Sequence, residues 1–138
     1  MIKILLISLF ALPFITYGQG DVTGGWKLDL SGSLENGVSR VSYDSLPAAT
    51  KARISERFGS RTFTFQSDGT VQISWTQGND VKGVSGEYWF DAEKKSLDIR
   101  ISDRMTRFNV LLLTTSELVL EYPSGVGLFD RLYLKKTD

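Results

Sequence analysis

The sequence predicts an all-β protein, an up-and-down antiparallel barrel of about eight strands with one short helix inserted between the first two barrel strands. Three observations carry this. After about residue 60, short runs of alternating apolar and polar residues follow one another, each able to turn one face to a common core. Turn clusters separate the runs: Asp68-Gly69, Gly78-Asn79-Asp80, Asp91-Ala92-Glu93, Ser102-Asp103 and Ser124-Gly125. The links between successive strands are short, so no Greek-key crossover is demanded. A two-sheet sandwich is the other arrangement open to such strands, but closure into a barrel removes the hazard of free edges.

Met1 to Gly18 stands apart from the fold. Lys3 precedes the run Ile4 to Ile15, interrupted by no charge. Such a run, about a dozen residues, has the length of a secretory h-region and is short for a bilayer core of roughly 30 Å. Thr16 and Gly18 supply small residues three and one positions before a cut ahead of Gln19. The chain is therefore expected to be exported, with residues 1–18 as signal peptide and residues 19–138 as one barrel domain. Localisation is expected to be periplasmic or secreted. No membrane-spanning segment is expected after cleavage.

The mature chain begins with a strand at Gly24–Leu30, where Trp26, Leu28 and Leu30 alternate. Ser31–Tyr43 is rich in Gly and Ser, carries Asn36-Gly37, and reads as a loose hairpin or a loop. The helix follows. Asp44 or Ser45 is placed to cap it, Pro47 fits the first turn, and Gly59 lies just past the end. Leu46, Ile54 and Phe58 share one face, with Ala49 beside them, while Lys51, Arg53, Glu56 and Arg57 lie away from it. So thin a stripe suits a helix lying over the mouth of something else. Seven strands complete the chain: 61–66, 70–75, 84–90, 97–101, 105–113, 117–122 and 128–135. Asp68-Gly69 between the first two is a strong hairpin signal.

Composition limits the chemistry. With no Cys there is no lipoprotein anchor thiol and no disulfide, so stability must come from a hydrophobic core. The 16 basic and 16 acidic residues balance, and loss of Lys3 with the leader leaves a charge of −1. No long-range field attracts nucleic acid. No His and no Cys removes the commonest general base, metal ligand and thiolate nucleophile. Asp68, Asp80, Asp91 and Asp103 fall in turns, where Asp is favoured for backbone reasons. No catalytic activity, metal or cofactor is expected.

Several pieces of the chain resemble the lipocalin-like domains of small secreted bacterial proteins, within the superfamily of lipocalins and fatty-acid-binding proteins. They are Gly24-Gly25-Trp26, Phe65 to Thr70, Gly86-Glu87-Tyr88, Phe108 to Thr114 with Glu117 to Leu120, and Asp130-Arg131 in the last strand. The resemblance implies that Trp26 lies at the closed end of the barrel and that Arg131 packs across it as barrel closure. A guanidinium over an indole gains about 0.5–2 kcal/mol. Arg131-x-Tyr133 also resembles the carboxylate-binding pair of fatty-acid-binding proteins, which implies a second role inside the cavity. Arg107 is placed either with that pair or in solvent. Burial of Phe108, Val110 and Leu112 argues for solvent.

The candidate ligand-binding set is Phe63, Phe65, Ile73, Trp75, Tyr88, Phe90, Arg131 and Tyr133. The aromatics among them line a pocket or simply fill a narrow barrel. Trp89 is out of phase with Tyr88 and Phe90 and should face outward. Lys51, Arg53, Arg57 and Arg61 read as a solvated basic face. The expected function is binding of a small hydrophobic or amphipathic molecule in the barrel. The alternative is a non-catalytic envelope interaction module with a filled core, acting through its outer surface on a protein partner that the sequence does not name.

Overall fold

A computed structural model describes residues 21–36, 43–123 and 129–137. The expected leader, Gly37 of the Asn36-Gly37 turn, and the Ser124-Gly125 cluster lie outside the described residues. Eight strands run β1 (Gly24–Leu28), β2 (Thr62–Phe65), β3 (Thr70–Gln77), β4 (Asp80–Asp91), β5 (Ser96–Ile101), β6 (Arg104–Leu113), β7 (Glu117–Glu121) and β8 (Arg131–Lys136). Each pairs antiparallel with the next. β8 returns to β1 through Trp26–Lys136, Lys27–Lys135 and Leu28–Leu134, which closes the barrel and excludes the sandwich.

Alternation fills the interior. Trp26, Leu28, Phe63, Phe65, Val71, Leu97, Ile99, Phe108, Val110, Leu118, Leu120, Leu132 and Leu134 form one buried cluster, and most of their strand neighbours point to the outer wall, Val119 of β7 being buried there as well. Gly69 closes the β2–β3 hairpin with φ +92°, a backbone conformation that side chains resist. β6 departs from simple alternation. Its register with β7 slips between Val110 and Leu112, so Leu111 is an extra residue, and Leu111 and Leu112 are both exposed. Leu112 is thus turned outward, against the expectation from phase with Phe108 and Val110, and Leu113 packs against the core instead.

Among the described residues, the insert between β1 and β2 holds a further helix ahead of the one expected. Helix α1 (Leu30–Asn36) occupies part of the expected loop, and β1 ends at Leu28 to admit it. Asp29 caps it: the Gly32 N–H donates to Asp29 Oδ1 at 3.1 Å, and the Ser33 N–H to the Asp29 carbonyl at 2.9 Å. Ser33 is buried, and its Oγ accepts from the Tyr133 N–H at 2.9 Å, which docks α1 on β8. Weak helix formers are held helical here by tertiary contact.

Helix α2 (Ala48–Gly59) begins two or three residues later than expected, with Pro47 at its N-cap position in place of Asp44 or Ser45 and not inside its first turn. Gly59 is its last residue, not the residue beyond. It buries none of its side chains fully. It is held across one end of the barrel by the Thr76 N–H donating to Ser60 Oγ at 2.8 Å and the Gly78 N–H to Glu56 Oε2 at 3.0 Å. Phe58 adds an edge contact with Phe129, ring centres 5.1 Å apart. No helix among the described residues is long and apolar enough to cross a membrane.

The outer wall carries cross-strand ion pairs. Arg107 is one partner: its Nε and Nη2 donate to the two Asp98 oxygens at 2.7 and 2.8 Å. It therefore lies on the outer face and takes no part in the interior. The hydrogen bond from Arg107 holds the Asp98 carboxyl below its usual value. Stability from that pairing is present above the ordinary carboxylate range of about 4 and lost as pH falls through the lowered value. Between about pH 5 and pH 2, wild type should lose more stability than Asp98→Asn, read as urea midpoints. Equal losses would show that the pair contributes nothing.

Candidate ligand-binding cavity

The two ends of the barrel differ. At one end Trp26 is 1% exposed, and its Nε1–H donates to the Val22 carbonyl at 2.8 Å. The cation across it is Lys136, whose Nζ lies 4.7 Å from the ring centre and donates to the Thr23 carbonyl at 2.9 Å. Arg131 is not there. Leu132 and Leu134 are 5% and 1% exposed and take the inward positions of β8. Arg131 and Tyr133, alternating with them, stand on the outer wall. Arg131 Nε lies 3.6 Å from Glu121 Oε2, and the side chain is 42% exposed. A hydrogen bond with Tyr133, then the charge of Glu121, holds its guanidinium above its usual value. Both proposed roles for Arg131, closure over Trp26 and an inward pair with Tyr133, are corrected by this placement.

At the other end, beneath α2, the core opens into a cavity of about 150 Å³. Leu28, Phe63, Ile73, Ile99, Ile101, Phe108 and Leu132 form its apolar wall, and Phe58 of α2 reaches in. Three groups capable of hydrogen bonding join them: Arg61, Thr106 and Tyr122. The Arg61 guanidinium carbon lies 4.4 Å from the Phe58 ring centre and 5.1 Å from that of Trp75. Its Nε is buried without a hydrogen-bond partner, as is Trp75 Nε1. Burial draws the Arg61 pKa below its ordinary value, against the attraction of the Tyr122 phenol. Burial also pushes the Tyr122 phenol up, opposed by Arg61. The Tyr122 ring packs on Phe108 with centres 4.8 Å apart. Few polar groups converging on an apolar hollow is the usual make-up of a small-molecule site.

The sequence-derived set is divided between these ends. Phe63 and Ile73 line the cavity, and Trp75 reaches it through Arg61. Phe65 and Tyr88 lie toward the floor, their rings edge to face at 5.0 Å, with the Tyr88 hydroxyl donating to the Gln66 carbonyl at 2.8 Å. Phe90 borders a different hollow of about 350 Å³ at the β4–β5 turn and the β6 bulge, beside Lys95, Leu111 and Leu112. That hollow is larger, but Ala92, Lys95, Leu111 and Leu112 of its wall are exposed, so it offers a ligand little shelter from water. Phe65, Tyr88 and Phe90 are therefore not cavity walls. Trp89 faces outward, 47% exposed, under the Arg100 guanidinium at 5.5 Å. Arg61 is corrected from solvated surface to cavity wall, and Tyr122 and Thr106 are cavity residues that the sequence-derived set omits. No three acidic side chains converge as metal ligands among the described residues.

The fold is that of a lipocalin-like protein. A crystal structure of a lipocalin-like protein from Bacteroides uniformis superimposes with a TM-score of 0.55, at 17% identity, over 86% of this chain and 100% of that one. A DUF4847 family protein from Bacteroides vulgatus gives a TM-score of 0.48 at 10% identity, over 84% of this chain and 93% of that one. No protein-family model and no curated protein matches the sequence.

Proposed function

We propose that the protein is an exported, non-catalytic barrel that binds a small apolar or amphipathic molecule in the cavity beneath α2. The cavity itself carries this reading: about 150 Å³, walled by core aliphatic and aromatic side chains and covered by a helix that buries none of its own residues fully. A hollow near 150 Å³ lined by such side chains holds a molecule the size of benzene. Export is supported by the charged start and uninterrupted apolar run of residues 1–18. A non-catalytic role is supported by the lack of His and Cys and by the turn positions of Asp68 and Asp103.

Size sets the expected affinity. A ligand of about eight heavy atoms, within known efficiency limits per atom, should bind with Kd between about 10 µM and 1 mM. Titration with toluene or 1-hexanol, followed by methyl NMR, should move the Ile73, Ile99 and Ile101 signals and spare those of Leu118 and Val119. No change at the three isoleucines with ligand at several millimolar would refute cavity binding.

A further inference from the structure

Among the described residues, Arg61 is a cation with no anion opposite it. It enters the mouth in phase with Phe63 and Phe65 and packs between the Phe58 and Trp75 rings. Among the described residues, the titratable groups that bear on it are the Tyr122 phenol and the Arg57 guanidinium, and no carboxylate does. Asp130, whose Oδ2 is also buried without a partner, forms no ion pair with it. Arg57 is exposed on α2, so its charge is left to water. The Thr106 and Tyr122 hydroxyls line the same cavity, and neither side chain is hydrogen-bonded among the described residues. A desolvated cation without a counter-ion is unfavourable for folding alone, and such arrangements concentrate where a ligand completes them.

We propose that the cavity takes a compact monocarboxylate, its head group accepting hydrogen bonds from Arg61 and Tyr122 and its ring or short chain lying among Phe63, Ile73, Ile99 and Phe108, a step that rests on cavity binding as proposed above. One guanidinium balances one negative charge, and its planar fork of donors matches the two carboxylate oxygens. The volume limits the rest of the molecule. A benzene-sized body plus a carboxylate comes to about nine heavy atoms, as in an aromatic or short-chain acid. Long-chain fatty acids exceed that space.

Calorimetric titration of the protein with benzoate and hexanoate, beside benzyl alcohol and 1-hexanol, tests this directly. In wild type the acids should bind at least tenfold more tightly than the alcohols. Arg61→Met should lower acid affinity at least tenfold and erase the preference for acid over alcohol, with its urea midpoint showing the variant folded. Equal affinity for acid and alcohol in wild type overturns the carboxylate assignment while leaving cavity binding standing, and needs no variant. An acid preference that survives Arg61→Met overturns it as well. Failure of all four compounds to bind removes cavity binding itself, and the carboxylate assignment with it.

Discussion

Trp26→Ala is expected to destabilise the barrel by about 3–5 kcal/mol, a large share of the 5–15 kcal/mol that holds a domain of this size together. Three losses combine. The indole is 1% exposed at the floor, so its removal leaves a void among core side chains. Its hydrogen bond to the Val22 carbonyl disappears, which frees the segment before β1. Lys136, 4.7 Å from the ring centre, loses the surface it lies on. The glycine two residues earlier belongs to the same device. A methyl group on Gly24, whose φ is +122°, would sit 2.6 Å from Lys136 Nζ, so the bare backbone is what admits the lysine. Lys136→Ala should accordingly cost about 1–2 kcal/mol through the lost ring contact and the lost hydrogen bond to Thr23. Arg131→Ala should leave the urea midpoint unchanged, because its guanidinium is solvated on the outer wall. Midpoints for the three variants separate the possibilities. An Arg131→Ala loss matching that of Lys136→Ala would mean that the arginine closes the floor after all.

That contrast marks where sequence and fold part company. Period two makes the barrel legible, since most runs from β2 to β8 alternate and the tight turns are punctuated by Gly, Asp or Ser. On β8 the same period also answers which face Arg131 takes: Leu132 and Leu134 are apolar and demand the inside, and the next inward position is Lys136. Family resemblance points to the arginine; phase points to the lysine, and burial energy decides for phase. The cavity polar groups obey it too. Arg61 stands in phase with Phe63 and Phe65, Thr106 with Phe108 and Val110, and Tyr122 with Leu118 and Leu120. Grouping Arg61 with the basic residues of α2 by composition conceals this, because a strand begins one residue later and carries the arginine inward. Two features have no local signal. Helix α1 holds two Ser and a Gly among its seven residues and stands on the Asp29 cap, on Leu30 and Leu34 against the core, and on the Ser33 contact with β8, which lies a hundred residues away in the chain. The β6 bulge lies within an unbroken run of Leu, where nothing distinguishes an inward from an outward residue.

Gly86→Ala should be the most damaging small substitution in the sheet, costing about 2–3 kcal/mol or more. Gly86 is on the inward face of β4, where the strand passes close to β5. A methyl group there would overlap the Arg100 carbonyl oxygen and lie 2.6 Å from Ile101 Cδ1. The isoleucine end can rotate away, but the carbonyl belongs to the β4–β5 ladder, whose pairing Glu87–Arg100 begins at the next residue. Relief therefore means separating two strands, and in a closed barrel that strain is passed round the ring. Gly83, three residues earlier in the same strand, is the control. Its added methyl group would meet the Ile73 carbonyl oxygen at 3.4 Å and Ser74 Cβ at 3.8 Å, ordinary contact distances, on an exposed face. Gly83→Ala should be neutral or stabilise by about 0.4–1 kcal/mol, because it restricts the unfolded chain without crowding the folded one. Urea unfolding of both variants under the same conditions reads the difference. If both lower the midpoint equally, the damage comes from strand propensity alone, and the close approach of β4 to β5 at Gly86 is not what the barrel depends on.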